Sequence, residues 1–211
     1  MRTLFKNGEI WCSRATYTSA VLVEDGKVAA LGDEALDQIF DKEVNLQGKF
    51  LAPGFIDAHA HPLFAGRESQ GPVVNGLSSV EEIIAAVKKF ADLNPDAKWI
   101  IGGAYEASII PGGDFEAKWL DQASAEIPIV LHAVDHHTVW VNSKALEISG
   151  ITSATKDPDG GAIARYEDGT PKGTLREPSA IDLILMHAPK RSLRDDVAAI
   201  EWACNQYLAA G

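Results

Sequence analysis

The stretch FLAPGFIDAHAHP, residues 50–62, decides how the rest of the chain is read. Its opening run, FLAPGFID, is apolar on both faces of an extended chain, which suits a parallel strand buried in a barrel or an α/β sheet. Along a strand, residues i and i+2 point to one face about 6.5–7 Å apart, so Asp57, His59 and His61 are predicted to share a face. Pro62 removes a ladder donor and ends the run. Two neutral imidazoles so spaced can converge on one divalent ion, at about 2.0–2.1 Å for zinc. Imidazole also suits iron, nickel and copper. Asp57 is placed to orient a metal-bound histidine, a common role for a carboxylate behind such a ligand. Two exposed or hydrogen-bonded histidines at a strand end would give the same letters, so the spacing by itself leaves both readings open.

Upstream, residues 1–52 read as β. TLFKNGEIW precedes TSAVLVEDGKVAALG, where Asp25-Gly26 between two apolar runs is a hairpin signal. A short helix is predicted around 35–40, and EVNLQGKFLAP turns at Gly48. The expectation is a small sheet of short antiparallel strands, half of a sandwich. Downstream the texture changes. SSVEEIIAAVKKFADLNP carries apolar residues at helical spacing behind a Ser79/Glu82 capping box, and Pro95 follows it. KWIIGGAY, IPIVLHAV and HTVWVN read as strands, and DFEAKWLDQAS as a short helix capped by Asp114. NSKALEISG is a helix capped by Asn142 or Ser143, with Gly150 just beyond it. AIARYEDGTPKGTLRE is a hairpin turning at Asp168-Gly169. Two helices follow. In the last, Ser192 and Asp195 resemble a capping box, and Leu193, Val197, Ile200, Cys204 and Leu208 form one stripe, expected to be buried. Trp99, Trp119 and Trp202 are expected in the core.

The 211 residues suffice for a sizeable core, and 46% hydrophobic with 23% charged residues is the balance of a globular protein. A formal net charge of −11 argues against nucleic acid or an anionic membrane as the main partner, since both require clustered Lys and Arg. Cys12 and Cys204, far apart in sequence, make neither a disulfide framework nor a zinc knuckle. MRTLFKNGEIWCS lacks the apolar core of a signal peptide, and no window approaches the roughly 20 apolar residues of a membrane helix. The expected compartment is the cytoplasm. A dinucleotide-binding domain is disfavoured, because no Gly-x-Gly-x-x-Gly joins a strand to a helix.

LAPGFIDAHAHP resembles the first barrel strand of the amidohydrolase superfamily, metal-dependent hydrolases on a (β/α)8 barrel. VLHAVDHHTVWVNSKALEISGI and DPDGGAIARYEDGTPKGTLRE are similar to segments of its amidohydrolase-3 branch, which includes YtcJ-like proteins and N-substituted formamide deformylases. The resemblance spans nearly the whole chain. It implies an α/β protein in which residues 1–52 are the N-terminal part of a composite β-sandwich and 53–69 are the first barrel strand and its loop. Residues 70–180 are then an α/β insertion domain, and 181–211 are helices that include the first barrel helix. It further implies a divalent metal, zinc foremost, as one or two ions on His59 and His61, and hydrolysis of amide, formamide or cyclic amide C–N bonds.

Glu177, in the branch's Leu-Arg-Glu motif, is by that resemblance a carboxylate at the metal centre. Otherwise it is a hydrogen-bonded Glu beside Arg176 at a helix start, where negative charge is favoured. His132, Asp135, His137 and Trp140 are the substrate-pocket candidates, with a polar loop holding one satisfied histidine as the plainer reading. A (β/α)8 barrel takes about 250 residues, so the barrel is incomplete here. The resemblance leaves two further histidine ligands and the general-base aspartate without positions to occupy. The chain is therefore expected to be the N-terminal portion of a longer hydrolase, inactive by itself. Its partners are a small-molecule substrate and either the missing barrel region or further copies of itself. The rival reading is a non-catalytic binding or assembly module.

Overall fold

The computed structural model describes residues 1–211, which fold as two compact units, Met1–His59 with Gly211, and Ala60–Ala210.

In the first unit, β1 (Arg2–Ser13), β2 (Thr16–Glu24) and β3 (Lys27–Leu31) form an antiparallel meander, with β2 in the middle. The β2–β3 turn falls where the Asp-Gly pair predicts it. Asp25 and Gly26 both have positive φ, 48° and 80°, the twist that suits a two-residue hairpin. β4 (Lys42–Asn45) and β5 (Phe50–Leu51) pair with the other edge of β1, and both run parallel to it. This corrects the all-antiparallel expectation. The helix α1 (Gly32–Leu36) carries the chain from β3 across to that edge, and such a crossover is what a parallel strand requires. α1 also begins a turn earlier than predicted, with Asp33 and Glu34 favourably placed at its N-terminal end. Leu4, Ala20, Leu22, Ala30 and Ala35 make the core.

Residues 52–61 form no strand. The predicted first barrel strand is thus not realised: Phe55 and Ile56 are 90% and 93% exposed. A parallel strand is held by hydrogen bonds to neighbours on either side, and none in this chain pairs with this run. The architecture is mixed α/β with two sheets and no closed barrel.

The second unit begins with α2 (Pro62–Glu68) and α3 (Val80–Leu93). Ser79 caps α3 by accepting the Glu82 N–H. The return arm differs from the predicted box, since Glu82 Oε2 takes the N–H and hydroxyl of Ser78. A five-stranded sheet follows, in the order β6 (Ile100–Tyr105), β7 (Ile129–Ala133), β8 (Thr138–Val141), β10 (Pro171–Arg176), β9 (Ala162–Arg165). Only β6 and β7 are parallel. Both faces are covered, which explains the unbroken apolar runs of β7 and β8. Ile83, Val87, Tyr105, Phe115, Leu131 and Trp140 build one core. Val130, Val139, Leu146, Ile163, Leu175 and Ile184 build the other, with α5 (Ser143–Ile148) and α6 (Pro178–Leu185).

Asn142 caps α5 and does more than cap. Its Oδ1 accepts from Ala145 N and Ile129 N, and its Nδ2 donates to Ser124 O and Ile127 O, so the buried amide is fully satisfied. Asp114 caps nothing. The short helix α4 (Ala117–Leu120) starts after Glu116, while Asp114 pairs with Arg176 at 2.7 Å and Lys172 at 3.0 Å.

The last helix, α7 (Leu193–Ala210), reverses the predicted stripe. Leu193, Val197, Ile200, Cys204 and Leu208 are exposed, as is Trp202, and the buried residues are Ala199 and Ala203. α7 packs on α2 through small residues, because a Cβ at Gly66 would run into the Ala199 carbonyl. Arg67 clamps the pair with two hydrogen bonds to Asp196, at 2.9 and 2.7 Å. The Ser192/Asp195 box forms as predicted. Trp99 and Trp119 pack against the two cores.

Candidate functional site

The antiparallel pairing of β8 with β10 places Thr138 opposite Arg176. The β7–β8 turn, which holds Asp135, His136 and His137, therefore meets Glu177 at the end of β10. Asp135 Oδ1 accepts the His137 N–H at 2.9 Å, a local bond that fixes this turn, and His136 takes the left-handed conformation with φ 57°. Glu177 N–H donates to His137 O at 2.7 Å, extending the ladder by one step.

Glu177 then adopts φ 68°, ψ 152°, a region that side chains rarely tolerate and that costs on the order of 1–3 kcal/mol. The conformation aims the carboxylate back across the turn, and Oε2 lies 2.9 Å from His137 Nδ1. That hydrogen bond, with the carboxylate charge behind it, raises the His137 pKa above its ordinary value. Both side chains are exposed, so the pair is an oriented imidazole at the surface, backed by a carboxylate. In this arrangement Glu177 serves His137, and it does not cap α6 with its side chain.

A file of rings lies alongside. His61 is the residue at the start of α2, and its ring sits 5.5 Å from Phe64. Phe64 stacks on His136 at 4.8 Å, and His136 lies 6.2 Å from His132. Glu68 Oε1 approaches His136 Nδ1 at 3.6 Å without a hydrogen bond. Burial pushes the Glu68 carboxyl up, holds His136 below its usual value and pushes His132 down to about 4. In the first unit, Asp57 Oδ1 accepts the backbone N–H of His59 at 3.0 Å.

The substrate-pocket candidates separate. Asp135 lines a cleft of about 430 Å³ together with Ser108, Gly112, Gly113, Thr138 and Arg176. His137 neighbours it in sequence. His132 Nδ1 is enclosed without a partner, and Trp140 is fully buried in the core, where its Nε1 donates to Glu116 O. Sequence reading passed over Arg176 and Thr138. The register of HTVWV against GTLRE would have paired them.

His59 and His61 are donors of the kind a divalent ion takes. No group of three or more His, Cys, Asp or Glu side chains in this chain is arranged to hold a metal ion. No helix is long and apolar enough to cross a membrane.

Residues 42–211 match the family model described as the amidohydrolase family. The chain is 32% identical to the protein LONG AFTER FAR-RED 3 of Arabidopsis thaliana, over 99% of this chain and 36% of that protein. It is 32% identical to the putative amidohydrolase YtcJ of Bacillus subtilis, over 90% of the chain and 37% of the relative. Identity is also 32% to the N-substituted formamide deformylase of Arthrobacter pascens, over 94% and 39%. The chain thus spans somewhat over a third of the length of these relatives. An uncharacterized metal-dependent hydrolase from Pyrococcus horikoshii shares the fold, with a TM-score of 0.65 at 23% identity, over all of this chain and 41% of that one.

Proposed function

Because the chain belongs to the amidohydrolase family, in the YtcJ-like amidohydrolase-3 branch, we propose that it is the N-terminal portion of a metal-dependent hydrolase that cleaves amide, formamide or cyclic amide C–N bonds. The observation that carries this reading is the run from Pro53 to Pro62, with His59 and His61, inside the family match. In the proposal these two imidazoles hold a divalent ion, zinc foremost, and the remaining ligands and the general base come from the part of the relatives that this chain does not span. Such an ion lowers the pKa of bound water to about 7 and polarises a carbonyl.

This chain's own contribution is binding and orientation. His137, held by Glu177, presents its far nitrogen to a substrate, and the cleft with Asp135, Thr138 and Arg176 selects it. The exposed apolar residues of α7, Leu193, Val197 and Leu208 among them, meet the remaining barrel region or another copy of the chain. The compartment is the cytoplasm.

The test is hydrolysis of amide and formamide substrates by this chain alone and by a form extended to the relatives' length, each with zinc, nickel or manganese. The extended form turns over, a His59→Ala/His61→Ala variant of it loses metal and activity together, and the chain alone is silent. Full metal retention in the double variant would place the site elsewhere. An extended form that binds metal and ligand without turnover would favour a binding or assembly module.

A further inference from the structure

The 430 Å³ cleft at the β8–β10 end holds hydrogen-bonding capacity that the fold leaves unspent. Arg176 uses only Nη2, which meets Gly112 O, Gly113 O and Asp114 Oδ1 at 3.0, 3.3 and 2.7 Å. A guanidinium carries five N–H donors, so those on Nε and Nη1 have no protein partner. Asp135 spends Oδ1 on the His137 N–H and leaves Oδ2 unpaired. Thr138 lines the cleft, and its hydroxyl makes no hydrogen bond although the residue is only 7% exposed. The Tyr105 hydroxyl is buried without a partner. Burial raises its pKa, and Asp135 and Arg176 are the two charges that act on it.

The opposed charges restrict what can settle here. A simple anion drawn to Arg176 meets the Asp135 carboxylate, and a simple cation drawn to Asp135 meets the guanidinium. An apolar group leaves donors and acceptors on both walls unpaired as water departs, which costs on the order of 1–3 kcal/mol for each group. A neutral group with an acceptor beside an N–H satisfies both walls. Its carbonyl oxygen accepts from Arg176, its N–H donates to Asp135 Oδ2, and the Thr138 hydroxyl serves either side.

We infer that this cleft is a specificity subsite for a carboxamide-type group, H–N–C=O, carried by the substrate away from the bond that is cleaved. The inference rests on the hydrolase reading for its biological use, while the binding it asserts needs neither metal nor turnover. Asp114 and Lys172 are supporting parts. Asp114 holds Arg176 against the Gly112–Gly113 turn, and Lys172 shares the Asp114 charge so that the guanidinium is not fully neutralised.

The test is an NMR titration of the purified chain with N-acetylglycinamide, with sodium acetate and methylammonium chloride in parallel. N-acetylglycinamide shifts the Arg176 Nε–H and the backbone amides of Asp135 and Thr138 saturably, with a dissociation constant on the order of 1–10 mM for so small a ligand. Acetate and methylammonium do not saturate these signals in that range. Arg176→Lys and Asp135→Asn each weaken binding about tenfold, the scale of one well-formed hydrogen bond. Thr138→Val keeps shape and burial, so it guards against a folding defect in the other two, and it weakens binding severalfold. Acetate binding as tightly as the amide would make this an anion site and overturn the inference. So would saturation unaffected by all three variants, or no saturable shift with any probe. If the amide binds as described while the extended form hydrolyses nothing, the catalytic reading fails and the subsite stands. Turnover without amide binding has the opposite meaning.

Discussion

Replacing Asn142 by Ala removes the most heavily connected side chain in the second unit. The amide is fully buried and makes four hydrogen bonds, two as acceptor from Ile129 N and Ala145 N and two as donor to Ser124 O and Ile127 O. Loss of the α5 cap costs about 0.5–2 kcal/mol. The Ile129 N–H, left unpaired in the interior, adds about 1–3 kcal/mol. The two carbonyls are partly buried, and water entering the vacated space recovers most of their loss. The expected sum is about 1.5–5 kcal/mol, reaching the large end for a single substitution. With a urea m-value of about 2–3 kcal/mol/M, the unfolding midpoint falls by about 0.5–2.5 M. Asn142→Asp keeps both acceptor contacts and turns an oxygen toward Ser124 O and Ile127 O, so it should be no more stable than the alanine variant. Urea unfolding followed by tryptophan fluorescence is the assay, since Trp140 and Trp119 lie in the adjoining core. A loss below about 1 kcal/mol for the alanine variant, at unchanged m-value, would refute the reasoning.

Three further outcomes are expected. His132 titrates near 4 when folded and near 6.5 when unfolded, so the unfolded chain binds the extra proton and stability falls as pH drops from about 6.5 to 4, by up to about 3 kcal/mol; a stability–pH slope unchanged by His132→Gln would contradict this. His137 has the opposite sign. Its raised folded pKa makes the Glu177 contact stabilising below the unfolded value and lost as pH rises through the folded one. An NMR titration should show the His137 pKa falling in Glu177→Gln, and an unmoved value would mean the pair does not form in solution. Gly66→Ala should lower the melting temperature despite better helix propensity, because the added methyl meets the Ala199 carbonyl and overpacking costs about 1–3 kcal/mol; a raised melting temperature would show that α2 and α7 do not pack this closely.

Much of this was legible in the sequence because it is local chemistry. The Asp25-Gly26 turn, the Ser79 and Ser192 caps, the Asn142 cap and the β9–β10 hairpin each follow from a few neighbouring residues whose preferred bonds are made at short range. The family itself was legible for a different reason: its motifs are strings, and strings survive whatever the chain folds against. What the sequence could not decide is where a segment's partner lies. FLAPGFID reads as one buried strand, yet a strand exists only with a ladder beside it, and β1 pairs only with Phe50 and Leu51, leaving APGFID without one. The large apolar stripe of α7 reads as the buried face, yet close approach to α2 is possible only through Gly66, Ala199 and Ala203. Glu177 and His137, forty residues apart, read as separate candidates until the β8–β10 register and one strained backbone angle placed their side chains 2.9 Å from each other. Arg176 and Thr138 face one cleft for the same reason, since strand pairing sets which distant residues become neighbours.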